Sequence, residues 1–255
     1  MADLQTVIAH LDELLESGAF SDYGPNGLQV PAREGKQVRT VVTGVSAHGP
    51  LVERAAAEGA DLVVVHHGLF WRGQPLEVTP AMHRRLAPLL INDIALAAYH
   101  LPLDAHPEHG NNALLADALG LDGRAPFAAH GGRPLGVHGR LPGDGLGVQE
   151  LLARVQEVCD HDVLHVPGGP DRVHTLGVVS GGASDDVFEA IELGLDAFLT
   201  GEPAERAYGA AVDGGIHFLA AGHHATETFG VRRLGELLEA EFGVRHVHVD
   251  IRNPI

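Results

Sequence analysis

Three short stretches concentrate side chains that bind cations. His66-His67-Gly68 follows the apolar run Leu62 to Val65, and His100-Leu101-Pro102-Leu103-Asp104 follows the run Ile94 to Tyr99. Gly222-His223-His224-Ala225-Thr226-Glu227 precedes a segment carrying Leu234, Leu237 and Leu238 at helical spacing. Imidazole is the commonest protein metal ligand, and a carboxylate can turn its two oxygens toward different ions. A dinuclear site needs roughly two histidines and bridging carboxylate oxygens between cations ~3.5–4 Å apart. His66, His67, His223, Asp104 and Glu227 supply that set, with Glu227 as the bridge. Each also has a plainer reading. The histidine pair can be structural, Asp104 a turn or capping residue, and Glu227 a helix-start carboxylate favoured by the macrodipole. His100 and Glu202 are candidate proton donors; His100 can equally orient Asp104, and His224 is either a group supporting the ligands or no more than a solvated neighbour. Because Pro102 disfavours helical geometry at Leu101, His100 and Asp104 are expected on a strand-exit loop.

The elements that must position these groups alternate along the chain. Leu4, Val7, Ile8, Leu11, Leu14 and Leu15 predict an amphipathic helix over Asp3 to Ser17, stopped by Gly18. Strands are expected at 40–42, 62–65 and 94–99, with helices at 51–58 and 82–90 between them. Residues Ala125 to Gly147, rich in Gly, Pro and His, read as loops and a short strand pair. A second series follows: helices at 149–158, 187–193 and 231–241, and strands at 175–179, 197–199, 216–220 and 247–251. Strands apolar on both faces call for mostly parallel sheets covered by helices. The expected architecture is therefore α/β, in two related halves: 1–124, to which 240–255 can return, and 125–239. Val42 to Ser46, a helix, Gly59-Ala60-Asp61 to Val65 and then His66-His67-Gly68 parallel Gly177 to Ser180, a helix, Gly194-Leu195-Asp196 to Leu199 and then Thr200-Gly201-Glu202; polar residues at equivalent strand ends suggest an internal duplication.

Composition narrows the function classes. A net charge of −17 repels phosphate backbones and anionic lipid, so neither nucleic acid nor a membrane is an expected partner. One cysteine, Cys159, allows no intrachain disulfide and no Cys-based zinc ribbon, so a metal must be held by nitrogen and oxygen. Such ligands suit Zn, Mn, Fe, Co or Ni. With no cationic leader and no apolar run near the ~20 residues that cross a bilayer, a cytoplasmic location is expected. No phosphate-binding GxxxxGK[ST] loop is present, and the single lysine, Lys36, lies in a polar stretch away from the motifs. Gly181-Gly182 reads as a structural turn, because Asp185 and Asp186 would repel an anion from the following helix. Gly44-Val45-Ser46-Ala47-His48 has His where a nucleophile elbow needs its second glycine.

The motifs together resemble the YbgI-like family of dinuclear-metal proteins, whose members are commonly called GTP cyclohydrolase 1 type 2 homologues. The resemblance rests on His66 to Trp71, Tyr99 to Pro107, Gly110-Asn111-Asn112 and Gly222 to Glu227, with further matches at Ser21 to Val30, Thr200-Gly201-Glu202 and Asp250 to Pro254. It implies a two-domain α/β subunit with two divalent metals at the domain junction, assembled into a toroidal homohexamer. By position it implies that His67 and Asp104 bind one metal, His66 and His223 the other, and Glu227 both. The inserted domain of longer relatives is missing from this chain. The first functional expectation is a metal-dependent, cyclohydrolase-like hydrolase acting on a small anionic or nucleotide substrate, in which metal-activated water attacks C8 of a guanine ring and His100 or Glu202 protonates the leaving nitrogen. The alternative is a non-catalytic metal-binding scaffold, metal carrier or regulatory oligomer.

Overall fold

The computed structural model describes residues 1–130 and 132–255; Gly131, within the Gly-rich stretch expected to form loops, lies outside the described residues. The chain forms two compact units, one of residues 1–103 with 230–251 and one of residues 104–229 with 252–255. The first unit thus ends before the boundary expected at 124, and the helix Asn111–Leu119 belongs to the second.

In the first unit a five-stranded sheet runs in the order Arg245–His248, Thr40–Ser46, Leu62–His67, Ala95–Ala98, Gly27–Val30. The first four strands are parallel and the last is antiparallel. Side chains alternate across a strand, so Leu62 and Val64 pack with Val7, Leu11, Leu234 and Leu238 on one face. Val63 and Val65 pack with Leu51, Val52 and Leu89 on the other. Both faces are covered by helices, which explains the unbroken apolar run ahead of His66. The first helix spans Leu4–Leu14, with Asp3 as its N-cap; Gly18 lies in a following 3-10 turn rather than at the helix end.

The second unit has a six-stranded sheet in the order Leu164–Val166, His217–Ala220, Ala197–Thr200, Thr175–Val178, Arg133–Arg140, Asp122–His130. Its three central-series strands, from Thr175, Ala197 and His217, are parallel; the others pair antiparallel. Asp122–His130 and Arg133–Arg140 form two full strands where loops and a short strand pair were expected. Asp122–His130 is a sheet edge, where Pro126 removes no ladder bond that a neighbour needs. The helix Glu205–Gly214, not foreseen from the sequence, buries Ala207 and Ala211 against Phe198 and Phe218.

The two units repeat one scheme: three parallel strands, with an antiparallel strand beside the third. The repeated Gly-x-Asp does the same work in each. Gly59 and Gly194 both adopt φ of 68°, a left-handed exit from the preceding helix. Asp61 Oδ2 then accepts from the amides of Arg39 and Thr40 at 2.9 and 3.2 Å, and Asp196 Oδ2 from those of His174 and Thr175 at 2.8 and 3.0 Å. Each carboxylate satisfies the otherwise orphaned start of the first parallel strand. Burial pushes the Asp61 carboxyl up, but the Arg39 and Thr40 amides and Lys36 outweigh it and hold the pKa below its ordinary value. A depressed folded pKa contributes stability that is present above the unfolded value and lost as pH falls through the folded one. Asp61→Asn is therefore expected to be less stable than the parent at neutral pH and to lose less on acidification; urea midpoints at about pH 7 and about pH 3 measure this.

Candidate metal centre

In the first unit the strand Leu62–His67 delivers His66 and His67 at its carboxyl end, inside the strand rather than after it. His66 is fully buried, and its Nδ1 donates to the Tyr99 carbonyl at 2.9 Å. That carbonyl is fixed in turn, because the Tyr99 amide donates to Val65 O at 3.0 Å and the buried Tyr99 hydroxyl donates to Asp12 Oδ1 at 3.0 Å. His67 Nδ1 meets Ser46 Oγ at 3.0 Å, from the neighbouring strand in register. His100 is held twice: its amide donates to Asn26 Oδ1 at 2.8 Å and its Nδ1 to Asp22 Oδ1 at 2.7 Å. Ligand atoms of His66, His67 and His100 lie within 4.8 Å of one another, a group that could hold a metal ion.

Asp22 also accepts from the Tyr23 and Leu101 amides and from Asn26 Nδ2. Burial alone would raise its pKa, but the His100 hydrogen bond and charge, with the Asn26 and Tyr23 donors, bring it to about 2. The bond to Leu101 corrects the expectation of a loop after His100. Leu101–Ala105 is a short helix whose first amide is capped by Asp22, and Pro102 sits in the first turn, where no amide proton is needed.

In the second unit Asp104 is buried at the end of that helix, and its Oδ1 accepts from Asn111 Nδ2 at 2.9 Å and Ser180 Oγ at 3.2 Å. Asn112 completes the clamp, donating to Asp104 O and Leu135 O and accepting from the Ser180 amide at 2.6 Å. The Gly110-Asn111-Asn112 motif thus positions a carboxylate. His223 opens the short helix His223–Thr226; its Nδ1 bonds the Glu202 carboxylate and its Nε2 lies 3.2 Å from Glu227 Oε1. Burial would lower the His223 pKa, but Glu227 and Glu202 together raise it to about 9, so this pocket draws positive charge. Glu227 is 3% exposed, between His223–Thr226 and the helix Thr228–Phe242. Behind it, Gly181 at φ +69° leaves no room for a Cβ, which would strike the Glu227 carboxylate. The Gly181 amide is spent on Thr226 Oγ1 at 3.0 Å, in keeping with a turn rather than a phosphate cradle.

Glu202 and His224 are both engaged by neighbours. Glu202 bonds His223 Nδ1, the position of a group that orients an imidazole. His224 is buried, at 8% exposure, not solvated; its amide donates to Ile255 O at 3.1 Å. Ser46, Asp22, Ser180 and Gly181 were given no part at the site, although Asp22 and Asn26 stand in a stretch singled out for its family resemblance.

The donor set fits a metal. Carboxylates and imidazoles are nitrogen and oxygen ligands, and each of His66, His67 and His223 has Nδ1 held by a protein oxygen, which orients the ring and leaves Nε2 as the nitrogen on the other side. The family model for Duf34/NIF3 (NGG1p interacting factor 3) matches residues 2–254. The chain belongs to the Duf34/NIF3 family. Within it, a Pseudomonas aeruginosa protein named GTP cyclohydrolase 1 type 2 homolog is 41% identical over 251 residues, 98% of each chain. The solved protein ybgI, described as of unknown function, superposes with a TM-score of 0.93 at 39% identity, covering 99% of this chain and 100% of that one. TTHA1606 from Thermus thermophilus gives a TM-score of 0.88 at 36% identity, covering 99% and 100%. The expected family resemblance and the α/β architecture are thus both present. No helix among the described residues is long and apolar enough to cross a membrane.

Proposed function

We propose that this Duf34/NIF3 chain is a metal-dependent hydrolase, holding two divalent cations through His66, His67, Asp104, His223 and Glu227 and acting on a purine nucleotide as a ring-opening cyclohydrolase. The observation that carries the reading is the uniform anchoring of donors: three Nδ1 atoms and one carboxylate oxygen are each fixed by a separate protein group. Histidines that ligate metal almost always have their other ring nitrogen held by a carboxylate, carbonyl or similar group, which is the pattern of these three rings. The names of relatives such as the Pseudomonas aeruginosa protein supply the substrate class. When bound, paired divalent ions supply Lewis acidity and a nucleophile at neutral pH.

The chain's own groups do the rest. Asp22, ionised across the working range, keeps the His100 ring in one orientation beside His66 and His67. His100 is the proton donor of this reading, held by Asp22 with its ring beside those of His66 and His67. Glu202 orients His223. As in the family resemblance, we propose a toroidal homohexamer in the cytoplasm. The test is elemental analysis of chelator-free protein together with GTP turnover on the same sample. Two ions per chain with turnover that stops on chelation is the expected result; full occupancy with no turnover on any purine nucleotide overturns the hydrolase and leaves a metal-binding scaffold or carrier.

A further inference from the structure

In a chain only 5% aromatic, three aromatic side chains gather at one opening of the first unit, beside the histidine group. Tyr23 is 58% and Phe70 38% exposed, and the single tryptophan, Trp71, is half-buried between them and the site. Its ring lies edge-to-face with His100 at 5.0 Å and tilted to His67 at 5.8 Å. The opening is a cavity of about 410 Å³ lined by Asp22, Gly24, Pro25, Phe70, Trp71 and Arg72, a size that takes one small molecule.

The walls are built in advance. The Arg72 amide donates to Tyr23 O at 2.8 Å, tying the 22–25 loop to the 70–72 loop. Gln29 ties them again, donating to Pro25 O at 2.7 Å and accepting from the Leu69 amide at 2.7 Å. The Trp71 indole N–H donates to Gly68 O at 3.1 Å, so the ring is held by its polar edge. Gly24 runs so close to Phe70 O and Trp71 that a Cβ there would collide with the carbonyl. Glycine is therefore required for the two loops to meet. The Asp22 carboxylate has spent its oxygens on four donors, leaving the exposed Arg72 as the charge available to a ligand. A fixed indole, a phenyl ring and a guanidinium around one small cavity fit a flat ring bearing an anionic tail.

We infer that this cavity is the recognition subsite for a planar heteroaromatic anion, its ring stacked on Trp71 and Phe70 and its acidic group on Arg72. The inference rests on the hydrolase reading for the position of the reacting centre, but the subsite is defined by binding alone. With one tryptophan in the chain, its emission reports occupancy directly. GTP is expected to quench Trp71 saturably, guanosine to quench it more weakly, and inorganic triphosphate not to quench it. Arg72→Ala should raise the GTP dissociation constant about tenfold, the cost of one charge-assisted contact, and leave that of guanosine unchanged. Trp71→Leu, followed by equilibrium dialysis with circular dichroism to establish folding, should lose at least tenfold for both ligands. Turnover without quenching, with an unchanged KM in Trp71→Leu, overturns the subsite and spares the hydrolase. Quenching without turnover does the reverse. Emission that follows protein concentration instead of ligand overturns the subsite in favour of a second copy covering the aromatic residues.

Discussion

Glu227→Ala is expected to lower the bound divalent metal from two ions per chain to at most one and to abolish turnover. In the proposed centre Glu227 would serve both ions, so its loss would take a donor from each. Mutating a group that merely orients a ligand costs 10–100-fold in metal affinity, so loss of a bridging ligand should cost at least about 100-fold. Dialysis against micromolar metal followed by elemental analysis measures the change, and retention of two ions would remove Glu227 from the centre. Because the side chain is buried, the variant also leaves a void, and a thermal melt should accompany the metal analysis. Glu227→Gln keeps the volume and one oxygen and is expected to bind between parent and alanine variant, which separates loss of a ligand from loss of packing.

The second large effect is on stability. Lys36, placed by sequence in a polar stretch, is 8% exposed and gives its ammonium to three acceptors: Asp61 Oδ1 at 3.1 Å, Asp93 Oδ2 at 3.2 Å and Asp93 O at 2.7 Å. It joins the loop before the strand Thr40–Ser46 to the loops before the next two strands. Lys36→Met preserves the stem but leaves the Asp61 carboxylate without its cation and Asp93 with only the exposed Arg33, whose Nε lies 3.2 Å from Asp93 Oδ2. Breaking a buried pair costs 3–5 kcal/mol; with the Asp93 side chain 31% exposed, the expected loss is near the lower end, about 3 kcal/mol in urea unfolding at neutral pH. A loss under about 1 kcal/mol would mark the cluster as an ordinary surface pair.

What the sequence made legible was the part governed by local pattern. The apolar runs before His66, Tyr99 and His223 announced buried strands, and strand ends are where open α/β sheets place ligands. The groups that hold the ligands were harder to read because they arrive from far along the chain. Asp22 reaches His100 and Leu101, Ser46 reaches His67, and Ser180 reaches Asp104, and no spacing rule links these positions. Pro102 misled for a different reason: it falls in the first turn of the helix Leu101–Ala105, where no amide proton is needed, and Asp22 takes the Leu101 amide beside it. The strands of residues 122–140 were obscured by Gly, Pro and His, which an edge hairpin tolerates and a central strand does not. Lys36 looked polar because its partners, Asp61 and Asp93, become neighbours only when the sheet forms.

The enclosure of Lys36 also sets how the folded chain meets amine chemistry. With its one ε-amino group shut in by two aspartates, acylating reagents find no side-chain amine on the surface. A succinimidyl dye should leave the Lys36 side chain of the folded chain unlabelled and reach it once urea unfolds the chain. Lysine-directed acetylation or isopeptide tagging would have to wait for local opening of the Lys36 cluster. The rate of such acylation would then be a clock for that opening.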